Sequence, residues 1–266
     1  MGQKVNPKIF RLGLYNNRWD SSYIEKNCEE STLLIYNDVK IRDFVSRILL
    51  LNGLLVHSCK LRYTVVEISI FIYYYKLSKK NLFMTDSTDL IKLTNSIYFF
   101  LNKENSFSND LKILIKVRDI NKYSESLVPL KMDYLNKIFR RYLKENLFTD
   151  LLSVSLIVML VKNSSRFLVS FLILKLKVIK NQNKILVYLK LILSELINKD
   201  VFKVNGIKFI INGRFNKSPR SRKKDIVLGS IPLQTISADI DYFQSTVFTI
   251  VGTFGLKLWI CRNKII

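Results

Sequence analysis

The sequence predicts an α+β chain built as more than one layered unit, and two patterns carry that prediction. Past residue 206, apolar residues alternate with polar ones: Ile207, Phe209 and Ile211, then Ile236, Ala238, Ile240 and Tyr242, then Leu256, Leu258 and Ile260. Period two is the mark of a half-buried strand. With Thr246–Val251 added, four strands joined by short turns imply a mainly antiparallel sheet with one covered face. Upstream the spacing is helical instead, between Asp38 and Leu51 and again between Lys184 and Asn198.

Taken in order, residues 1–30 are mixed polar and basic and read as an arm. Asp38–Leu51 follows as an amphipathic helix with Val39, Phe44, Ile48 and Leu51 on its apolar side. Lys60–Tyr75, rich in β-branched and aromatic residues, reads as strand. A helix over Ser87–Leu101 and a strand over Leu111–Val117 complete the first module. In residues 120–165, Leu135, Ile138, Phe139 and Tyr142 make a helical stripe opposite Lys137, Arg140, Arg141 and Lys144. Two apolar runs, 151–161 and 167–175, are separated by KNSSR. Each is well short of the ~20 residues that span a bilayer, so both are expected as packed core elements and no membrane span is expected. Lys184–Asn198 then supplies a helix for the C-terminal sheet.

At 266 residues, 48% hydrophobic and 24% charged, the chain can bury one or two cores. Its 43 Lys and Arg against 21 Asp and Glu give a net charge of +22. A surplus of this size suits nucleic acid or an anionic membrane surface. Catalytic and metal chemistry find little to draw on. His57 is the single histidine, and Cys28, Cys59 and Cys261 are scattered with no zinc-site spacing. No glycine-rich phosphate loop occurs. Paired carboxylates are confined to Asp239 and Asp241 on one strand face. The chain reads as neither an enzyme nor a cofactor or metal binder.

The cations concentrate between Lys203 and Lys224. Lys208, Arg214, Lys217, Arg220, Arg222, Lys223 and Lys224 lie there with no acid among them. Crowded long cations repel one another, so folding alone gives no reason to gather them. A polyphosphate does, because each phosphate neutralised releases condensed counterions. A solvated loop is the alternative reading of the run.

These residues resemble a known family. GIKFIINGRF, IPLQTISADIDY and GTFGLKLWI, in that order, together with the opening GQKVNPKIFRLGLYNNRW, are similar to the universal small-subunit ribosomal protein S three. The resemblance covers residues 1–20 and 170–262, and 33–118 more faintly. It implies four parts: an arm over 1–30, a KH-type (type II) module over 31–119, a lineage-specific helical insertion over 120–165, and a C-terminal domain over 166–266. That last domain would have two helices packed on its four-stranded sheet. Ribosomal RNA is the implied partner, met by Lys4, Lys8, Arg11 and Arg18 in the arm and by the 208–224 cations. Further implied neighbours are mRNA where it enters the subunit, and the head proteins of the S ten and S fourteen families.

Two departures qualify the resemblance. A KH module clamps the RNA backbone with a GxxG loop, yet no glycine occurs between Gly53 and Gly206. Ser78-Lys79-Lys80-Asn81 stands at that place, so the module is expected to be degenerate, with Lys79 and Lys80 as its remaining cations. The helix that in bacterial relatives presents a cationic cluster to mRNA retains only Lys184 and Lys190. An apolar helix face of that width has to be buried, and the 151–175 runs are its expected cover. The function expected is a structural constituent of the small subunit. A basic peripheral or integral membrane protein is the alternative. The Lys-, Asn- and Ile-rich composition and an opening motif at Met1 suggest a product of an AT-rich organellar genome, a mitochondrion first and a plastid as the alternative.

Overall fold

The computed structural model describes residues 5–14, 19–25, 27, 29–64, 66–76, 87–104, 112–121, 135, 137–161, 164–179, 181–198, 204–250 and 252–262. The chain divides into two compact units, Trp19–Glu125 and a second made of Met1–Arg18 with Ser126–Ile266. The predicted arm therefore does not hold together as one piece. Residues 5–14 join the C-terminal unit, while Ser21–Ser22 (β1) joins the other.

In the unit Trp19–Glu125, helix α2 (Glu30–Leu51) leads into strands β2 (Leu54–Tyr63) and β3 (Glu67–Lys76), helix α3 (Ser87–Glu104) and strand β4 (Lys112–Asp119). The sheet order is β1-β2-β3-β4, with β2 and β3 antiparallel and the outer pairs parallel. The expected sequence of helix, strands, helix, strand is present. Lys60–Tyr75 is corrected from one strand to parts of two. Thr64 makes the turn, its N–H donating to the Glu67 carbonyl at 2.9 Å and its hydroxyl donating there at 2.8 Å. The core stripe of α2 is also corrected. Leu34, Ile41, Val45 and Leu49 are buried, whereas Val39 and Leu51 are exposed. Apolar residues surround this helix, so more than one stripe at helical spacing is available, and contact with β2 and β3 selects the buried one. Phe44 holds α3 by stacking on Phe100, ring centroids 3.8 Å apart. Arg42 then ties three elements together. It meets Asp38 at 2.9 Å, the Cys59 carbonyl at 2.5 Å, and the Asp20 carbonyl and Ser21 hydroxyl beside β1.

The C-terminal unit begins with a short helix α1 (Pro7–Phe10). Its body is helices α4 (Asn146–Leu160), α5 (Ser165–Val178) and α6 (Gln182–Asn198), followed by strands β5 (Val204–Gly213), β6 (Arg222–Gly229), β7 (Asp239–Thr249) and β8 (Gly252–Arg262). The strands form an antiparallel sheet ordered β6-β5-β8-β7. Helix α5 covers β7 and β8, α6 covers β5 and β6, and α4 lies against α5 and α6. Both apolar runs are thus buried helices, as expected, and no helix of the described residues is long and apolar enough to cross a membrane.

Four strands are present, but two of those predicted differ. Residues 236–238 turn instead of extending, and the strand starts at Asp239 and runs through to Thr249. The fourth strand is β6, whose first half lies inside the basic run that reads as loop. Crowded cations hide its alternation, because only Ile226 on the covered face is fully buried. Gly206 and Gly229 face each other across β5 and β6. Gly229 has φ +70°, and a Cβ there would come within 2.0 Å of the Asn205 carbonyl oxygen. Only glycine fits this approach.

The helix ends are held by the sheet. The final carbonyls of a helix have no partner within it. Here Arg262 at the end of β8 donates to the carbonyls of Val158 at 2.7 Å, Met159 at 3.1 Å and Val161. On the adjacent strand Asp241 accepts the Ser165 N–H at 2.7 Å, placing a carboxylate at the start of α5, where the helix dipole favours it. Both side chains are buried. Burial lowers the Arg262 pKa, and the nearby carboxylates of Asp241 and Asp239 oppose that shift.

Arg262→Met keeps the bulk and removes the donors, leaving buried carbonyls unmatched. We expect it to lower the stability of this unit by about 3 kcal/mol. The readout is the urea transition reported by Trp259, since Trp19 is 68% exposed and less sensitive to unfolding.

Candidate nucleic-acid interface

The basic run is a strand hairpin with a shaped connection. Register pairs Gly213 with Arg222, Asn212 with Lys223 and Ile211 with Lys224, so β6 starts inside the run. Between the strands, Phe215–Lys217 form a 3-10 turn. Asn216 takes φ 49°, a left-handed conformation that asparagine tolerates better than most residues. Its N–H donates to Gln182 Oε1 at 3.2 Å, and the buried Phe215 ring packs edge-on to Phe254 at 5.4 Å. The connection is thereby anchored to α6 and to the core.

Each cation has its own surroundings. Lys224 lies over the Phe215 ring at 4.7 Å and donates to Asn183 Oδ1 at 2.5 Å. Lys223 pairs with Asp225 at 2.7 Å. Arg214 donates through Nε to the Ser218 carbonyl at 2.9 Å. The Arg220 and Arg222 side chains are exposed, with no hydrogen-bond or ion-pair partner among the described residues. Lys217 sits in the 3-10 turn. Lys208 projects from the open sheet face over Trp259 at 5.7 Å, and Trp259 in turn packs on Tyr242 at 5.0 Å. Exposed Lys257, opposite Ile210 on the same face, is an addition to the sequence candidates. Its signal is present in the chain, since it alternates with Leu256 and Leu258.

On α6, Lys190 is exposed. Lys184 is engaged: it meets Glu145 at 2.8 Å and lies over Tyr188 at 5.5 Å, while the Tyr188 hydroxyl donates to Glu145 at 2.8 Å. Hydrogen bonds from Lys184 and Tyr188 hold the Glu145 carboxyl below its usual pKa. The predicted cover for α6 is therefore in place, and it draws on the cation at the start of that helix.

The N-terminal candidates divide. Lys8 lies on α1, half-buried. Arg11 is corrected from an RNA-facing residue to a structural one. It is 0% exposed, and its guanidinium donates to the carbonyls of Pro7 at 3.1 Å, Leu233 at 2.9 Å and Thr235 at 2.7 Å. Those bonds hold the connection between β6 and β7, and they leave Arg11 turned away from solvent. Lys4, Arg18, Lys79 and Lys80 lie outside the described residues, as does the Ser78–Asn81 loop.

The geometry can neutralise a polyanion along one edge of the sheet, and among the described residues no group of His, Cys, Asp and Glu could hold a metal ion. His57 and Cys59 are buried on β2, and Cys261 is buried on β8. Residues 188–260, which include the whole hairpin, match the family model described as ribosomal protein S3, C-terminal domain. Over nearly its full length the chain is similar to the small ribosomal subunit protein uS3c of Euglena longa, 27% identical over 98% of this chain and 99% of that one. It is likewise similar to the small ribosomal subunit protein uS3 of Fusobacterium nucleatum, 24% identical over 100% of this chain and 96% of that one. A shorter match to uS3c of Thalassiosira pseudonana reaches 44% identity over 64 residues, 24% of this chain and 30% of that one. The class these features define is an α+β protein with a basic sheet edge. These similarities support a divergent member of the ribosomal protein S3 family.

Because the Glu145 pKa is depressed in the folded protein, its contribution to stability is present above the pKa of the unfolded chain. It is lost as pH falls through the lower folded value. Glu145→Gln should therefore destabilise at pH 7 and become equivalent to the parent once the parent's Glu145 carboxyl is protonated. Urea midpoints measured for both proteins from pH 7 down to about pH 3 test this. A gap that persists at the acid end would assign the effect to packing.

Proposed function

We propose that the chain is a structural constituent of the small ribosomal subunit that binds ribosomal RNA and supports translation, without enzymatic activity. The hairpin carries this reading: a strand edge loaded with cations, anchored to the core, inside the segment that matches the family model. Phosphate contacts of this kind fix position and register and carry no sequence information. By family, the chain would sit in the head near where mRNA enters, beside proteins of the S ten and S fourteen families. Arg214, Lys217, Arg220, Arg222, Lys223 and Lys224 would serve the RNA from the hairpin. Lys208, Lys190, Lys184 and Lys8 would serve it from the rest of the C-terminal unit, with Lys4, Arg18, Lys79 and Lys80 as further contacts. The absence of a membrane-length helix among the described residues gives the membrane alternative no support.

The uS3c relatives support an organellar ribosome. Composition favours a mitochondrion, and the names of those relatives favour the plastid. Detection of the protein in one gradient-purified organelle or the other decides between them.

Replacing Arg220, Arg222, Lys223 and Lys224 together by alanine should weaken cosedimentation with the small subunit. It should also flatten the dependence of RNA affinity on salt, by about 0.7–0.9 in log–log slope for each phosphate no longer neutralised. An unchanged slope would mean that these side chains do not touch phosphate.

A further inference from the structure

A second basic cluster precedes α4. Lys137, Arg140, Arg141 and Lys144 are all exposed and meet no ion-pair partner among the described residues. They are held from behind. Leu135 and Phe139 are buried, the Phe139 N–H donates to the Leu135 carbonyl at 2.9 Å, and the Phe139 ring meets Phe148 of α4 edge-on at 5.2 Å. No acid lies between Tyr134 and Lys144.

Two contacts bring this cluster beside the hairpin, some 80 residues later in the chain. Glu145, next to Lys144, accepts from Lys184 Nζ and from the Tyr188 hydroxyl at the start of α6. Asn183, next to Lys184, accepts from Lys224 Nζ at 2.5 Å. The start of α6 is thus a bridge with the 137–144 cluster on one side and the hairpin on the other. The carboxylates along the way are Glu145 and Asp225, and each is engaged by a lysine, Lys184 and Lys223. Lys137, Arg140, Arg141 and Lys144 on one flank and Arg220 and Arg222 on the other meet no carboxylate among the described residues.

We propose that the 137–144 cluster and the 214–224 hairpin form one continuous cationic surface that follows a single RNA backbone across the start of α6. This rests on the RNA-binding reading above and extends it to residues outside the segment that the family model matches. The chemistry recognised is the phosphate chain, since arginines and lysines on an exposed surface with few carboxylates select charge spacing and not base identity. Glu145 gives the bridge its form, drawing Lys184 and Tyr188 together between the two clusters.

The test uses the full chain and a fluorescent single-stranded RNA 20-mer of mixed sequence, with affinity measured across a salt series. Two variants are compared, each checked for an unchanged urea midpoint. One carries Lys137→Gln, Arg140→Gln, Arg141→Gln and Lys144→Gln. The other carries Arg220→Gln, Arg222→Gln, Lys223→Gln and Lys224→Gln. Each should lower the log–log salt slope by about 0.7 for every phosphate it ceases to neutralise, with one RNA bound per chain throughout. If only the hairpin variant changes the slope, the continuous surface is wrong while RNA binding stands. If neither does, RNA binding by these cations fails as well. If the parent chain binds two RNA molecules and the 137–144 variant binds one, the clusters are separate sites and continuity is overturned.

Discussion

The C-terminal unit depends on how the sheet terminates the helices laid over it. A helix end is a row of unmatched polar groups, and burying one without partners is costly. Between α4 and α5 the chain puts two such ends side by side beneath β7 and β8. Arg262 takes the carbonyls of the first, and Asp241 takes an N–H of the second. Their opposite charges suit opposite helix poles, and both sit on neighbouring strands of one rigid sheet. Helix α4 is fixed in this way, and everything placed on it inherits that position. In the unit Trp19–Glu125, Arg42 does comparable work, joining α2, β2 and the segment around Ser21 through one guanidinium.

The arginines that build have different surroundings from those proposed to bind. Arg11, Arg42 and Arg262 aim fixed forks of donors at backbone carbonyls, a use that suits guanidinium better than ammonium. Arg140, Arg141, Arg220 and Arg222 stand exposed, with no side-chain hydrogen-bond or ion-pair partner among the described residues. Net charge of +22 therefore overstates the cationic surface, because part of it is structural. Arg11 shows the distinction most sharply. It lies in a basic opening segment, yet it is fully buried and holds the Leu233–Thr235 connection.

That bond also explains what is legible in the sequence. The FRLG stretch and the PLQT stretch carry the resemblance at opposite ends of the chain, and in the structure they touch. Their residues are set by a contact, which leaves a clear mark. Covered strands are equally legible, since Ile207, Phe209, Leu256 and Leu258 alternate against open-face neighbours. Strand β6 is not, because cations occupy the positions where alternation would show. The turn at Ile236–Ala238 misleads for the opposite reason: its residues alternate, yet the Ala238 N–H points back to the Thr235 carbonyl at 3.5 Å. The buried stripe of α2 is hidden because apolar residues surround the helix, and only the sheet decides which side is inside. No sequence rule links Lys144 to Lys224. That neighbourhood comes from tertiary contacts through Glu145 and Asn183.

Strand β6 lies at the outer edge of its sheet, with no strand paired to its outer side among the described residues. An open edge of this kind invites another chain to add a strand, and long charged side chains are a common protection against it. Arg222, Lys223 and Lys224 occupy its first three positions. Before any nucleic acid is present, those side chains repel the same edge of a second copy. The charge proposed to meet RNA thereby also guards the edge against a second copy of the chain.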